Sequence, residues 1–327
     1  MSAPTANSYL IDGVELPVFD NRVAFANTLI ELAREDDRIV AVCNDSVGSS
    51  NLGGFREEFP DRLINVGIAE QNMVGVGAGL ANAGLVPFVC AAGPFLSGRA
   101  TEQIKADVAY SNFPVILCAM SPGMAYGELG PTHHSVEDLS WMRALPNLDI
   151  VVPADELQTQ QAVRWAVAAK RPTYLRVGRH KVPNLVTSGT EFVRGKFVQM
   201  TSGNDVTIIA AGSMVSRAMA AVALLQQKGI AARVLNATFI APLDVAAIET
   251  AARETGAIVT VEEANVAGGL GAAVASVVVG LDSDSRVPLK IIGTDDWSPT
   301  LSTDALYTHF GLTAENIAAS VQEVLAR

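Results

Sequence analysis

The sequence predicts an α/β fold in two units, each built on a mostly parallel sheet with helices on both faces. Three observations carry that prediction. Apolar runs of strand length alternate with amphipathic runs of helix length along most of the 327 residues, the signature of repeated βαβ units. Hydrophobic residues make up 49% of the chain and charged residues 17%, so much of it must be buried in a large core or against a partner. The alternation fades from His180 to about Asn204, a polar stretch with Pro183, Gly189 and Gly203, and then resumes. That stretch is the expected linker, separating a unit at 1–190 from a smaller α/β unit at 191–327.

The first helix is expected over Asn21 to Arg34, where Phe25, Leu29, Leu32 and Ala33 share a face, and RIVAVCN (Arg38 to Asn44) reads as a buried strand. After the polar turn DSVGSSN comes the central stretch from Arg62 to Arg99, in which Glu70 opens an uncharged span lasting from Gln71 to Gly98. The span exceeds membrane-crossing length, but Asn82, Pro87 and its glycines argue against a membrane helix. It divides instead into a helix (about Glu70 to Asn82), a turn at Ala83 and Gly84, and a buried strand (about Leu85 to Ala92). Gly75 and Gly79 leave a flat helix face suited to a tight helix contact, of the kind that forms between subunits.

A helix near Arg99 to Asn112 and the strand VILCAMS (Val115 to Ser121) follow, then the long loop PGMAYGELGPTHHS. Ser135, with Asp138 three residues later, is expected to cap the next helix, which runs to about Leu145. DIVVPA is a strand, DELQTQQAVRWAVAA a helix, and TYLRVG (Thr173 to Gly178) the last strand of the first unit. In the second unit DVTIIAAG, ARVLNATFI, AIVTVEE and PLKIIGT are expected strands, helices run to Lys228 and Thr255, and TAENIAASVQEVLA is the final helix.

A net charge of -11 argues against a nucleic-acid partner, while leaving room for a small phosphorylated substrate held by a few arginines. Cys43, Cys90 and Cys118 each fall in an apolar strand and read as buried free thiols in a reducing compartment. The N-terminus has no basic region followed by an apolar one, so the expected location is cytoplasmic. Zinc spacings, a GxxxxGK loop, a complete dinucleotide fingerprint and a GxSxG elbow are all missing from the sequence.

Ligands of open parallel sheets bind beyond the carboxyl ends of the strands. Asp45 to Asn51, Pro122 to Ser135, and Arg179 each follow a strand, so a site can assemble from them. Two readings of Glu70 stand side by side. A carboxylate at the mouth of an apolar element has its pKa raised by desolvation and can exchange a proton near neutrality. Equally, a glutamate in a first helical turn simply suits the helix dipole. For His133, aimed by the turn Gly130, Pro131, Thr132, the alternative is an exposed loop pair with His134.

GIAEQN (Gly67 to Asn72), PFLSGRATEQ (Pro94 to Gln103), GPTHHSVEDLSWMRALPNLDIVVPAD (Gly130 to Asp155) and PTYLRVGR (Pro172 to Arg179) together resemble the transketolase family. The first unit resembles its thiamine-diphosphate pyrimidine-binding domain, and Val206 onward its C-terminal domain. Full-length members carry a further domain whose GDG motif holds magnesium and the diphosphate, and no GDG occurs here. The resemblance therefore implies the C-terminal half of a split transketolase. A separate N-terminal subunit would hold Mg2+ and the diphosphate, in an α2β2 heterotetramer with β-β or α-β contacts.

The same resemblance implies site roles. Glu70 would be the catalytic acid that shares a proton with the aminopyrimidine, for transfer of a two-carbon ketol unit between sugar phosphates. Phe95 would pack on the pyrimidine, and Arg99, where relatives vary between an aromatic residue and arginine, would join Glu70 and Phe95 in binding the cofactor; His133 would meet substrate oxygens; Arg22, Ser50 and Arg179 would grip the substrate phosphate. Arg176 is a near neighbour that could instead serve the strand alone. Leu129, preceded by Glu128, and Ser121 depart from the family's usual aspartate and histidine, which leaves the sugar open. Three alternatives stay open: half of a deoxyxylulose-phosphate synthase, the beta subunit of a 2-oxoacid dehydrogenase, and a non-catalytic interaction subunit.

Overall fold

Alternating strand and helix close into three sheets in the computed structural model, which describes residues 8–326. The first seven residues, part of the stretch read for a leader and the start of the 1–190 unit, lie outside the described residues. The chain opens with the hairpin β1 (Ser8–Ile11) and β2 (Val14–Phe19), and Asp20 then caps α1 (Asn21–Glu35) by accepting from the Arg22 amide. There follow β3 (Ile39–Cys43), α2 (Gly53–Glu58), β4 (Leu63–Asn65), α3 (Glu70–Asn82), β5 (Val86–Ala92) and α4 (Gly93–Arg99). A single turn α5 (Thr101–Gln103) runs into wider π-type turns over Ile104–Tyr110, then β6 (Ile116–Met120), α6 (Asp138–Arg143), β7 (Asp149–Val151), α7 (Glu156–Ala169) and β8 (Thr173–Val177). β9 (Val182–Pro183) returns to pair with β2.

The second unit comprises β10 (Val198–Thr201), β11 (Val206–Ala210), α8 (Met214–Gln226), β12 (Ala232–Asn236), β13 (Phe239–Ala241), α9 (Val245–Glu254), β14 (Ile258–Asn265), α10 (Leu270–Gly280), β15 (Leu289–Thr294), α11 (Thr303–His309) and α12 (Ala314–Leu325). Its sheet has the order β10-β12-β11-β14-β15, parallel except for β10. The larger sheet has the order β13-β7-β8-β6-β5-β3-β4, parallel except for β13.

Burial, rather than helix propensity, fixes the central layer. α3 carries Gly75, Gly77 and Gly79, each costing about 1 kcal/mol against alanine in a helix, whereas a fully buried side chain such as Met73 or Val74 returns roughly 1.5–3 kcal/mol. Along β3, β5 and β6 the side chains alternate. Cys43, Phe88, Cys90 and Cys118 face Phe25 and Leu29 of α1 and Val163 of α7, while Val42, Val89 and Leu117 face Met73 of α3 and Leu96 of α4. The three thiols are free, buried and side by side in register. The second face continues into the other unit through Ile209, Leu235, Ile240 and Val274, so the two units share one core.

Several expectations change. The helix placed at Arg99 to Asn112 is present as the turns over Thr101–Gln103 and Ile104–Tyr110, but α4, with Pro94 in its first turn, precedes it across a break at Ala100. Ser135 and Asp138 form no capping box, because Glu137 occupies the cap position without a side-chain bond and Asp138 is drawn into a buried ion pair. ARVLNATFI is two strands, the second of which crosses to the edge of the first sheet beside β7. The linker contributes β9 and β10. Within the chain the closest packing on α3 is at Gly77, where an added Cβ would lie 2.5 Å from Val89 Cγ2, while nothing lies within 4 Å of the same point on Gly79.

Gly77→Ala is therefore expected to lose about 1–3 kcal/mol by overpacking on Val89, while Gly79→Ala stays neutral or gains up to about 1 kcal/mol. Denaturant unfolding of the two variants checks the contrast, and equal losses would contradict the packing described.

Candidate active site

Chain order reverses across the larger sheet between β3 and β5, since β4 lies outside β3 while β6, β8 and β7 lie beyond β5. Loops leaving neighbouring strands diverge at such a point and open a crevice at the carboxyl ends. An open cavity of about 460 Å³ lies there. It is lined by Asn44 to Ser46 and Ser49 after β3, Ile68 and Glu70 after β4, and Ala92, Phe95 and Arg99 after β5, with Tyr126 and His133 from the loop after β6.

Glu70 reaches the cavity because the chain turns sharply after β4. Gly67 takes φ +74°, and Asn65 Oδ1 accepts from the backbone amides of Gly67 and Asp45, both 3.0 Å. This ties the β3 and β4 loops together. Glu70 starts α3, where the dipole favours a carboxylate, and is 4% exposed. The bare apolar setting expected for it is only half realised. Its Oε1 accepts from Asn44 Nδ2 and from Arg99 Nη1, each at 2.8 Å. Behind Asn44 the chain of bonds continues through Ser46 Oγ (2.6 Å to Asn44 Oδ1) to Ser50 Oγ (3.2 Å from Ser46).

An aromatic row borders the carboxylate. The Arg99 guanidinium lies 4.1 Å above the Phe95 ring, the His133 ring meets Phe95 edge-on at 5.1 Å, Tyr126 stands 6.3 Å from His133, and Arg179 lies 5.2 Å over Tyr126. His133 Nδ1 is 3.0 Å from Thr132 Oγ1. His134 is not an exposed twin: it is buried, its Nε2–H donates to Gly127 O at 3.1 Å, and burial pushes its pKa down.

The loop holding Tyr126 and His133 is gripped by the second unit. Gly130 takes φ +75° and sits where a Cβ would strike Thr300, and Gly127 fits equally tightly against the backbone at Leu301 and Thr303. Glu263 Oε1 accepts from Met124 N at 2.7 Å, and Thr303 Oγ1 donates to Met124 O at 3.2 Å. At the loop's far end Arg176 is buried. It pairs with Asp138 at 3.0 Å and donates to Ser135 O and Glu263 O, joining β8, α6 and β14 at one guanidinium. Arg176 thus serves the strand and the junction.

Of the residues expected at the site, Glu70, Phe95, Arg99 and His133 share one cavity. Arg22 and Ser50, expected on the substrate phosphate, do not line it. Asp20 engages the Arg22 guanidinium through both carboxylate oxygens and Ser49 O takes Nη1, while Ser50 is fully buried at the end of the bond chain behind Glu70. Arg179 reaches the cavity only through Tyr126 and otherwise faces a smaller one, about 30 Å³, between the units. Asn44, Tyr126 and Glu263 were not singled out in the sequence. Asn44 ends a predicted strand, a signal that could have found it; Tyr126 and Glu263 carry none.

Residues 18–184 match the family described as transketolase, pyrimidine binding domain, and residues 195–317 match the transketolase C-terminal domain. The chain is 44% identical over 308 residues to an apulose-4-phosphate transketolase subunit of Phocaeicola vulgatus, covering 94% of this chain and 97% of that one. It is 38% identical over 307 residues to the 6-deoxy-6-sulfo-D-fructose transketolase subunit SqwH of a Clostridium species, covering 94% of each. A solved structure described as a split gene transketolase, inactive beta4 tetramer, superposes with a TM-score of 0.87 at 38% identity over 94% of this chain and 99% of that one.

The site loop also generates a pH dependence. Burial lowers the pKa of His134 beside Gly127 and of His180 at the unit junction, so both are neutral in the fold and bind protons more readily once unfolded. Their contribution to stability is present above the ordinary histidine range, near about pH 6.5, and is lost as pH falls through it. Thermal midpoints are expected to fall from about pH 7.5 to 5.5, less steeply in His134→Gln. An identical slope in that variant would contradict the burial argument.

Proposed function

The chain belongs to the transketolase family, and on that premise we propose that it is the pyrimidine-side subunit of a split, thiamine-diphosphate-dependent transketolase. It would move a two-carbon ketol unit between sugars bearing an anionic group. The observation that carries the reading is Glu70, a carboxylate 4% exposed that lines one cavity with Phe95 and His133. That donor set fits an aminopyrimidine: an acid for its ring nitrogen, an aromatic face for its plane, and Ile68 and Ala92 as apolar wall.

Thiamine diphosphate supplies the nucleophilic carbon and the electron sink when bound. The residues here supply position and proton placement. Glu70 holds the proton at the ring nitrogen, Asn44 fixes the carboxylate rotamer, and Phe95 sets the plane. His133 presents its imidazole to substrate hydroxyls. Arg179, stacked on Tyr126, is the candidate for the substrate's anionic end, to which a planar fork of donors is suited. Arg22 and Ser50 act from behind the wall, as supports of Ser49 and Asn44.

We assign Mg2+ and the diphosphate mainly to a separate subunit, in an α2β2 assembly. The subunit designations of the relatives support the existence of a separate partner subunit. Three buried free thiols suit a cytoplasmic setting, and no helix among the described residues is long and apolar enough to cross a membrane. The deoxyxylulose-phosphate synthase reading is the weaker, because the chain is 44% identical to the apulose-4-phosphate transketolase subunit and covers 97% of it, against 38% identity to a synthase of which it covers 48%.

With the diphosphate-binding subunit, thiamine diphosphate and Mg2+ present, Glu70→Gln is expected to lower ketol transfer at least about 100-fold while the complex still assembles. Full activity in that complex would refute the proton-sharing role. The isolated chain is expected to bind thiamine diphosphate poorly; calorimetric titration showing tight binding without the second subunit would refute the division of the site.

A further inference from the structure

We infer that Arg99 is an internal stand-in for the pyrimidine ring: its guanidinium occupies the ring's carboxylate and aromatic contacts, and the ring must displace it to seat. This rests on the assignment of Glu70 and Phe95 above. Both surfaces assigned to the ring are taken by one side chain. Arg99 Nη1 donates to Glu70 Oε1 at 2.8 Å, and Cζ lies 4.1 Å over the Phe95 centroid.

The likeness is chemical as well as positional. A guanidinium is a flat cation with N–H donors around its edge and faces that stack on aromatic rings. A protonated aminopyrimidine is also a flat, delocalised cation, with N–H donors on its edge and faces that stack. Glu70 Oε1 already accepts from Asn44 and Arg99, so while Arg99 is closed neither that oxygen nor the Phe95 face beneath the guanidinium is open to the ring.

The surroundings make exchange feasible. Arg99 is the last residue of α4, before the break at Ala100, and its side chain is 49% exposed. It can therefore swing outward without unfolding the helix. Glu70 is not stranded when it leaves, because Asn44 Nδ2 remains on Oε1 at 2.8 Å. The placeholder would keep a buried charge compensated before the cofactor arrives. It also lowers apparent cofactor affinity by the fraction of molecules in which Arg99 is closed on Glu70.

The test is cofactor affinity rather than turnover. Thiamine diphosphate with Mg2+ is titrated calorimetrically into the assembled two-subunit complex carrying wild-type chain, Arg99→Met, Arg99→Lys or Glu70→Gln. Loss of a half-exposed ion pair and a cation–π contact predicts binding about tenfold tighter in Arg99→Met. Arg99→Lys, which keeps the charge but not the plane, should fall between Arg99→Met and wild type. If Glu70→Gln weakens binding while Arg99→Met leaves it unchanged or weaker, the assignment of Glu70 stands and the placeholder is wrong. If Glu70→Gln binds as wild type does, the assignment fails and the placeholder fails with it.

Discussion

A carboxylate almost out of water has to be met by donors, and Glu70 is 4% exposed. The rest of the site follows from that constraint. Asn44 and Arg99 converge on one of its oxygens, Ser46 orients Asn44, and Asn65 ties the loop that carries Asn44 to the loop that carries Glu70. These groups come from the ends of β3, β4 and the helix after β5, which only a parallel sheet with its chain order reversed at that point brings together. Helix α3, despite three glycines, is held in place by Met73, Val74 and the fit of Gly77 on Val89.

The second unit completes the site without lining the main cavity. Glu263 and Thr303 hold Met124, the backbone at 301–303 packs against Gly127, and the Thr300 side chain packs against Gly130. Backbone bonds within the loop, such as Gly127 N to Met124 O, Leu129 N to Tyr126 O and the paired bonds of Gly123 with Ser135, order its turns, and these anchors fix it to the second unit. Arg176 adds a buried ion pair with Asp138 that also ties Ser135 to Glu263. Breaking such a pair by removing one partner commonly costs about 3–5 kcal/mol, so the geometry around His133 depends on a residue away from the chemistry.

Local patterns were legible where burial alone decides. The helix from Glu70 to Asn82, the turn at Ala83 and Gly84, and the strand ending at Ala92 stand where periodicity placed them. Glu70 and His133 were visible for a related reason, one opening an uncharged span and the other aimed by a Gly-Pro turn. What local sequence could not decide depends on tertiary partners. Whether Arg22 is free depends on Asp20, whether Asp138 caps a helix depends on Arg176, and an apolar run such as ARVLNATFI does not say which sheet it joins. Pro94 did signal the start of α4, and reading it would have placed that helix before the one expected at Arg99.

On the proposed reading, Glu70 shares its proton with the pyrimidine of a cofactor this chain encloses only in part. A crystal structure of the assembled two-subunit complex with thiamine diphosphate tests it most directly. A Glu70 carboxylate oxygen is expected at roughly 2.6–3.2 Å from the ring nitrogen. A carboxylate turned to solvent, or a cofactor bound away from Glu70, would contradict it.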